Sequence, residues 1–205
     1  MSKIILVTGA SKGIGAATAK MLAPGNDLII HYNLSKDSAV RVAQEVKNNG
    51  GNPFLLQADL TTEDACIEFI EKVKKNFSNL DVLVNNAGGE MKRQNTNHLS
   101  WKNMIDTFNL NAFSVMKMSS LSIDLLEKSN NDPTIINVSS LAIRLGAPSS
   151  IIYGASKGAI DSFTRGLARA LAPEIRVNAV APGVINTPLL RRFSTPEIVT
   201  DVWNF

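Results

Sequence analysis

Short runs of Ile, Val and Leu alternate along the chain with longer stretches in which apolar residues recur every three or four positions. The short runs predict strands over residues 4–8, 28–31, 54–57, 82–85, 134–139 and 176–181. The longer stretches predict helices over residues 14–22, 36–48, 62–77, 101–127 and 153–171. Because the strand runs are apolar at successive positions rather than alternate ones, both faces of the sheet are expected to be covered. The βαβα order then implies an α/β fold, a doubly wound parallel sheet of about six strands with right-handed crossovers. Thr61, followed three residues later by Asp64, reads as a capping box for the third helix. Asn49-Gly50-Gly51 and Pro173 read as helix stops.

At 205 residues, 44% of them hydrophobic, the chain can bury one sizeable core, and a single domain over residues 1–205 is expected. Its apolar runs fall well short of the roughly 20 residues needed to span a bilayer. The N-terminus passes from Lys3 straight into a β-like run, without the apolar region and cleavage site of a secretion signal. A cytoplasmic protein with no membrane partner is the expectation. The net charge of +3 comes from Lys and Arg scattered along the chain, which argues against a nucleic-acid surface and suits a ligand that carries phosphates. Cys66 sits in an amphipathic stretch as a small buried hydrophobe. His31 and His98 flank no cluster of ligand type, so no metal site is expected and both are assigned to surface or loop positions.

The first strand runs into Thr8-Gly9-Ala10-Ser11-Lys12-Gly13-Ile14-Gly15, after which a helical pattern begins. Glycines let the backbone turn tightly and approach a pyrophosphate, and the helix start offers free N–H groups with a partial positive charge. This is the phosphate-binding turn of a Rossmann-type sheet, although its spacing differs from the longer G-x-G-x-x-G fingerprint.

Together with Asn85-Asn86-Ala87-Gly88, Tyr153-x-x-x-Lys157 and Pro182-Gly183, the turn resembles the short-chain dehydrogenase/reductase family over nearly the whole chain, including its 3-oxoacyl carrier protein reductase-like members. The resemblance implies a single NAD(P)-binding domain. In it Gly9, Ser11, Gly13, Ile14 and Gly15 line the pyrophosphate and ribose, Asp59 and Leu60 meet the adenine, and Asn86, Ala87 and Gly88 pass beneath the adenosine ribose. Asp59 also has the position of a helix cap. Pro182, Gly183, Val184, Ile185 and Thr187 count among the cofactor-binding residues, with Thr187 at the nicotinamide carboxamide. Residues 184–205 would form part of a substrate lid, shorter than the family's. The family commonly dimerises through its two long helices after the fourth and fifth strands, so a homodimer or homotetramer is expected.

NAD enzymes place an acidic side chain at the end of the second strand, where it accepts hydrogen bonds from the ribose 2′-hydroxyl. Here the sequence reads His31-Tyr32-Asn33-Leu34-Ser35-Lys36, without a carboxylate. Lys12, with Asn33 or Lys36, would pair with a 2′-phosphate, so NADP (NADPH) is expected rather than NAD.

Hydride transfer to a carbonyl leaves an alkoxide that must be protonated, and Tyr153 is the proton-transfer candidate. Lys157, one helical turn away on the same face, is expected to lower the phenol's pKa. By resemblance Lys157 also holds the nicotinamide ribose, so Tyr153 and Lys157 count as cofactor-binding too. Ser140 is chosen over Ser139 because the family places its catalytic serine second in such a pair. A relay asparagine fits Asn109 best, with Asn111 a nearby rival. The implied activity is an NADP-dependent oxidoreductase acting on a small-molecule ketone or secondary alcohol. The alternative is a dinucleotide-binding redox sensor or an inactive family member. Specificity is expected in the loop after Gly88, in residues 141–152 and in the lid.

Overall fold

The computed structural model describes residues 2–90, 92–146 and 150–192. Six parallel strands form one sheet in the order β3-β2-β1-β4-β5-β6: β1 (Ile4–Val7), β2 (Asp27–Tyr32), β3 (Asn52–Gln57), β4 (Val82–Asn85), β5 (Thr134–Val138) and β6 (Arg176–Val180). The helices are α1 (Gly13–Met21), α2 (Lys36–Asn48), α3 (Glu63–Asn76), α4 (Trp101–Phe108), α5 (Ser114–Leu126), α6 (Ala142–Leu145), α7 (Ile151–Leu171) and α8 (Pro188–Arg191). The strand order reverses between β1 and β4, and at such a switch point the loops diverge and open a crevice at the carboxyl ends of the strands.

Successive side chains of the strands pass to opposite faces, so the unbroken apolar runs feed two cores. Leu6, Ile29, Leu83 and Ile135 pack with Phe69, Ile70 and Val73 of α3 and with Met118, Leu125 and Leu126 of α5. Ile5, Val7, Leu28 and Ile30 pack on the other face against Ala16 and Ala19 of α1 and Val42 and Val46 of α2. Strand β3 begins two residues earlier than predicted and includes Pro53. It is an edge strand paired to β2 alone, and there a missing N–H is tolerated. The opposite edge, β6, buries only Val177, and Val180 is 54% exposed.

Two expectations are corrected. The helix predicted over 101–127 is helical from Trp101 to Leu126 but not uniformly α: one turn of π-helix, Asn109–Phe113, lies between α4 and α5. The cap of α3 is Thr62, whose hydroxyl accepts from the Ala65 N–H (3.3 Å), while Thr61 bonds back to the Asp59 carboxylate (2.9 Å). Asp59 therefore closes the turn ahead of the helix rather than capping the helix itself.

Candidate active site

The phosphate turn is held from below by side chains. Thr8 Oγ1 accepts the backbone N–H groups of Asn86 (3.0 Å) and Ala87 (2.9 Å), and Asn86 Nδ2 donates to the carbonyls of Thr8 (2.8 Å) and Gly9 (3.2 Å). These bonds tie the turns after β1 and β4 into one unit. Gly9 has φ of +63°, and a Cβ there would lie 2.9 Å from the Ala87 Cα, so glycine is required twice over. His31 braces the turn from the side. Its Nδ1 accepts the Gly9 N–H at 2.9 Å and its Nε2 donates to the Ala58 carbonyl at 3.1 Å. The expectation of a surface or loop position for His31 is thus wrong. It is 3% exposed because both ring nitrogens have backbone partners, and burial pushes its pKa down to about 4.

The N-terminus of α1 has no side-chain cap, which leaves its first N–H groups available to an anion. With the tight glycine turn, this donor set fits a dinucleotide pyrophosphate. A cavity of about 550 Å³ opens from this turn. It is lined by Gly9, Lys12, Gly13 and Ile14, then by Asn86, Ala87 and Gly88, then by Ser140, Tyr153 and Lys157. Pro182, Gly183, Val184, Ile185 and Thr187 close it from above. A Cβ on Gly13 would lie 3.4 Å from the Thr187 methyl, so the segment after β6 folds back over the phosphate turn. Ser11, Gly15, Asn33, Asp59 and Leu60 stand near the carboxyl ends of β1, β2 and β3 but do not line this cavity. Leu60 belongs to the core. Of the expected lid and specificity loop, residues 193–205 and 147–149 lie outside the described residues.

Around Tyr153 the structure separates the alternatives left by the sequence. Ser139 is buried, and its hydroxyl donates to the Lys157 carbonyl at 3.3 Å. Ser140 lines the cavity near the Tyr153 phenol, and its hydroxyl accepts the Ala142 N–H at 3.2 Å. Asn109 is a correction: it points into a different cavity beside Thr61, Cys66 and Lys117. Asn111 takes the interior position instead. Its Oδ1 accepts the Gly89 N–H (2.8 Å), and its Nδ2 donates to the Gly89 carbonyl (2.8 Å) and to Ser156 Oγ (3.0 Å). The π turn explains the choice, since its wider winding rotates residue 111 inward from a helix otherwise directed elsewhere. Gly88 lets Asn111 and Lys157 approach each other, because a Cβ at that position would meet Asn111 Oδ1 at 2.9 Å and Lys157 Nζ at 3.2 Å.

Lys157 is buried, donates to the Val138 carbonyl at 2.7 Å, and has its pKa lowered by burial to about 8. Its Nζ lies 6.0 Å from the centre of the Tyr153 ring. The phenol's pKa is nevertheless raised, chiefly by burial and further by the Glu90 carboxylate, with the Ser140 hydrogen bond pulling the other way. The direction is opposite to the lowering expected from Lys157, because burial disfavours the phenolate most strongly.

Sequence reasoning passed over Thr8, Glu90 and Ser156. Thr8 was read as the end of a strand and Ser156 as a residue within a helix, neither carrying a spacing signal. Glu90, two positions after Gly88 and three before Arg93, was legible as an acid in a ligand-facing loop.

With this geometry in place, comparison defines the class: residues 3–197 match the short chain dehydrogenase family, and the chain belongs to it. It is 37% identical to General stress protein 39 of Bacillus subtilis over 92% of its own length but spans only 65% of that relative. It is 35% identical to a Synechocystis 3-oxoacyl-[acyl-carrier-protein] reductase, with 97% of this chain and 80% of the relative covered. Among solved structures it resembles the angucycline C-6 ketoreductase LanV with bound NADP (TM-score 0.87, 30% identity, 98% of this chain and 79% of that one). It also resembles the NADH-dependent reductase A1-R′ complexed with NAD (TM-score 0.85, 29% identity, 89% and 78%). Among the described residues no helix is long and apolar enough to cross a membrane.

Proposed function

We propose that the chain is an NADP-dependent oxidoreductase that moves a hydride between nicotinamide and a ketone or secondary alcohol. One observation carries this reading: Ser140, Tyr153 and Lys157 converge in the same cavity that begins at the uncapped, glycine-lined start of α1. Lys12, Gly13 and Ile14 would hold the pyrophosphate, and the cofactor, when bound, supplies the hydride.

In the reducing direction a hydride supplied to the carbonyl carbon would leave the C=O electron pair on oxygen, and that oxygen is what this chain's side chains serve. The Ser140 hydroxyl donates a hydrogen bond to that oxygen and the Tyr153 phenol protonates it. Lys157 positions the nicotinamide ribose and, with a water anchored by Asn111, returns a proton to Tyr153. A phenol held above its ordinary pKa is protonated at neutral pH and, though a weaker acid than a free phenol, still protonates the far more basic alkoxide. The NADP preference is supported by the absence of a carboxylate among Asn33, Leu34, Ser35 and Lys36 after β2, and by exposed Lys12 in the phosphate turn. The similarity to an NADP-bound ketoreductase agrees with it. Exposed Trp101, Ile105 and Phe113 on and beside α4 support a homodimer through this helical region, which light scattering at micromolar concentration would test.

The test is titration with NADPH and NADH, followed by a panel of carbonyls monitored by loss of reduced cofactor. Tighter binding of NADPH, turnover by the native chain, and loss of about 100-fold or more in Tyr153→Phe with binding intact are expected. Equal affinity for both cofactors would overturn the NADP assignment, and full turnover by Tyr153→Phe would overturn the proton donor. Binding without turnover of any carbonyl would favour a dinucleotide sensor.

A further inference from the structure

Glu90 is 8% exposed, lies in the loop after β4 and lines the same cavity as Tyr153. One carboxylate oxygen, Oε2, accepts from Arg93 Nε at 3.1 Å. The other, Oε1, is buried and has no hydrogen-bond partner. A buried carboxylate oxygen without a donor is unfavourable, so a donor is missing from the site as it stands. The cavity that Glu90 lines also has apolar side chains in its walls, among them Leu141, Ala142, Leu145, Val184, Ile185 and Leu189.

Building on the reductase reading, we infer that Glu90 Oε1 is the acceptor for a substrate hydroxyl group, and that the preferred substrate is a hydroxylated ketone rather than a simple aliphatic one. The alternative donor, an ammonium group, is disfavoured because the Arg93 guanidinium already pairs with the carboxylate and would repel a second cation. The hydroxyl sits close to the reacting carbonyl, since Glu90 and Tyr153 share this cavity and also a second, small one. At that separation the Glu90 carboxylate also acts on the phenol, raising its pKa. A pocket built to hydrogen-bond a hydroxyl discriminates strongly against an isostere without one, because the acceptor is then left unpaired.

The experiment compares near-isosteric pairs with NADPH as reductant: 4-hydroxy-2-butanone against 2-pentanone, and 1-hydroxy-2-butanone against 3-pentanone. The native chain is expected to favour the hydroxylated member by about 10- to 100-fold in kcat/KM, carried mainly in KM. Glu90→Leu collapses the ratio towards one while NADPH affinity is retained. Glu90→Gln, which keeps a neutral acceptor, preserves part of the preference and decides the matter if the leucine variant does not fold. Equal rates for both members in the native chain, or a ratio unchanged in both variants, would overturn the inference while leaving the reductase reading intact. The second cavity, about 10 Å³, has room for one water, and a water held there on Oε1 would give that negative result. If no ketone is reduced, it is the reductase reading that fails. Ligand-observed NMR with the same pairs then decides the inference: saturation of the hydroxylated members that depends on Glu90 supports it, and equal saturation refutes it.

Discussion

Acidification should destabilise this protein through one residue, His31. In the folded chain both ring nitrogens are committed, Nδ1 as acceptor for the Gly9 N–H and Nε2 as donor to Ala58, so the neutral ring is the one that fits. Burial holds its pKa at about 4 against an ordinary 6.5. Between these values the unfolded chain takes up a proton that the folded chain refuses. The stability is therefore complete above pH 6.5, falls as the pH drops through this window, and levels off below about 4. At 1.36 kcal/mol per pH unit the total loss is about 3 kcal/mol, a large fraction of an ordinary folding free energy. The control is His31→Asn, whose Oδ1 can accept from Gly9 and does not titrate. Urea unfolding of both proteins at steps from pH 7 to pH 4 gives two curves, and their difference cancels the carboxylates common to both. The native curve should fall relative to the variant's by about 3 kcal/mol across the window. NADPH affinity should hold through this window and weaken only as the pH approaches 4, where the folded chain itself takes up the proton and a protonated Nδ1 opposes the Gly9 N–H with a second donor. Parallel curves would refute the reasoning.

The remaining predictions concern the site. Asn111→Ala leaves the Gly89 N–H without its acceptor and should cost about 1–3 kcal/mol of stability. The same variant should lose about 100-fold in kcat, whereas Asn109→Ala stays within about 2-fold of native, as steady-state kinetics on the two will show. Gly9→Ala forces a side chain into a left-handed backbone and against Ala87. It should lower stability by at least about 2 kcal/mol and raise the NADPH Kd, read by thermal unfolding and calorimetric titration. Glu90→Gln removes a carboxylate that raises the Tyr153 pKa. The alkaline limb of the reduction pH profile, where the phenol loses its proton, should then move to lower pH; no movement would place the limb on another group.

Much of the fold was legible because its signals are local. The bounds of α2 and β4 coincide with the predicted 36–48 and 82–85, since Asn49-Gly50-Gly51 stops one and the VLVN run defines the other. In contrast, β3 was cut short at its N-terminus by Pro53, a residue that reads as a breaker until its position at the sheet edge is known. The π turn was illegible for a related reason. Residues 101–127 carry a helical period throughout, and the partners that Asn111 finds from the π turn, Gly89 and Ser156, lie 22 and 45 residues away.

The site divides in the same way. The glycine turn, the Tyr153–Lys157 spacing and the Ser139-Ser140 pair are motifs, and the structure brings all three to one cavity. What each member of a pair does there depends on partners remote in sequence: the Ser139 hydroxyl is taken up by the Lys157 carbonyl, and Asn109 lines a different cavity while Asn111 bonds to Gly89. The electrostatics are further still from the sequence. An i, i+4 lysine spacing does not reveal how deeply the phenol is buried or which other charges face it. Here Lys157 donates to Val138, and the phenol feels burial and the Glu90 carboxylate. Bringing a substrate into contact with Glu90 would therefore alter the field on Tyr153 as well as the fit of the ligand. A hydroxyl donated to Oε1 disperses the carboxylate's charge, and the group that recognises the substrate also adjusts the acid that protonates it.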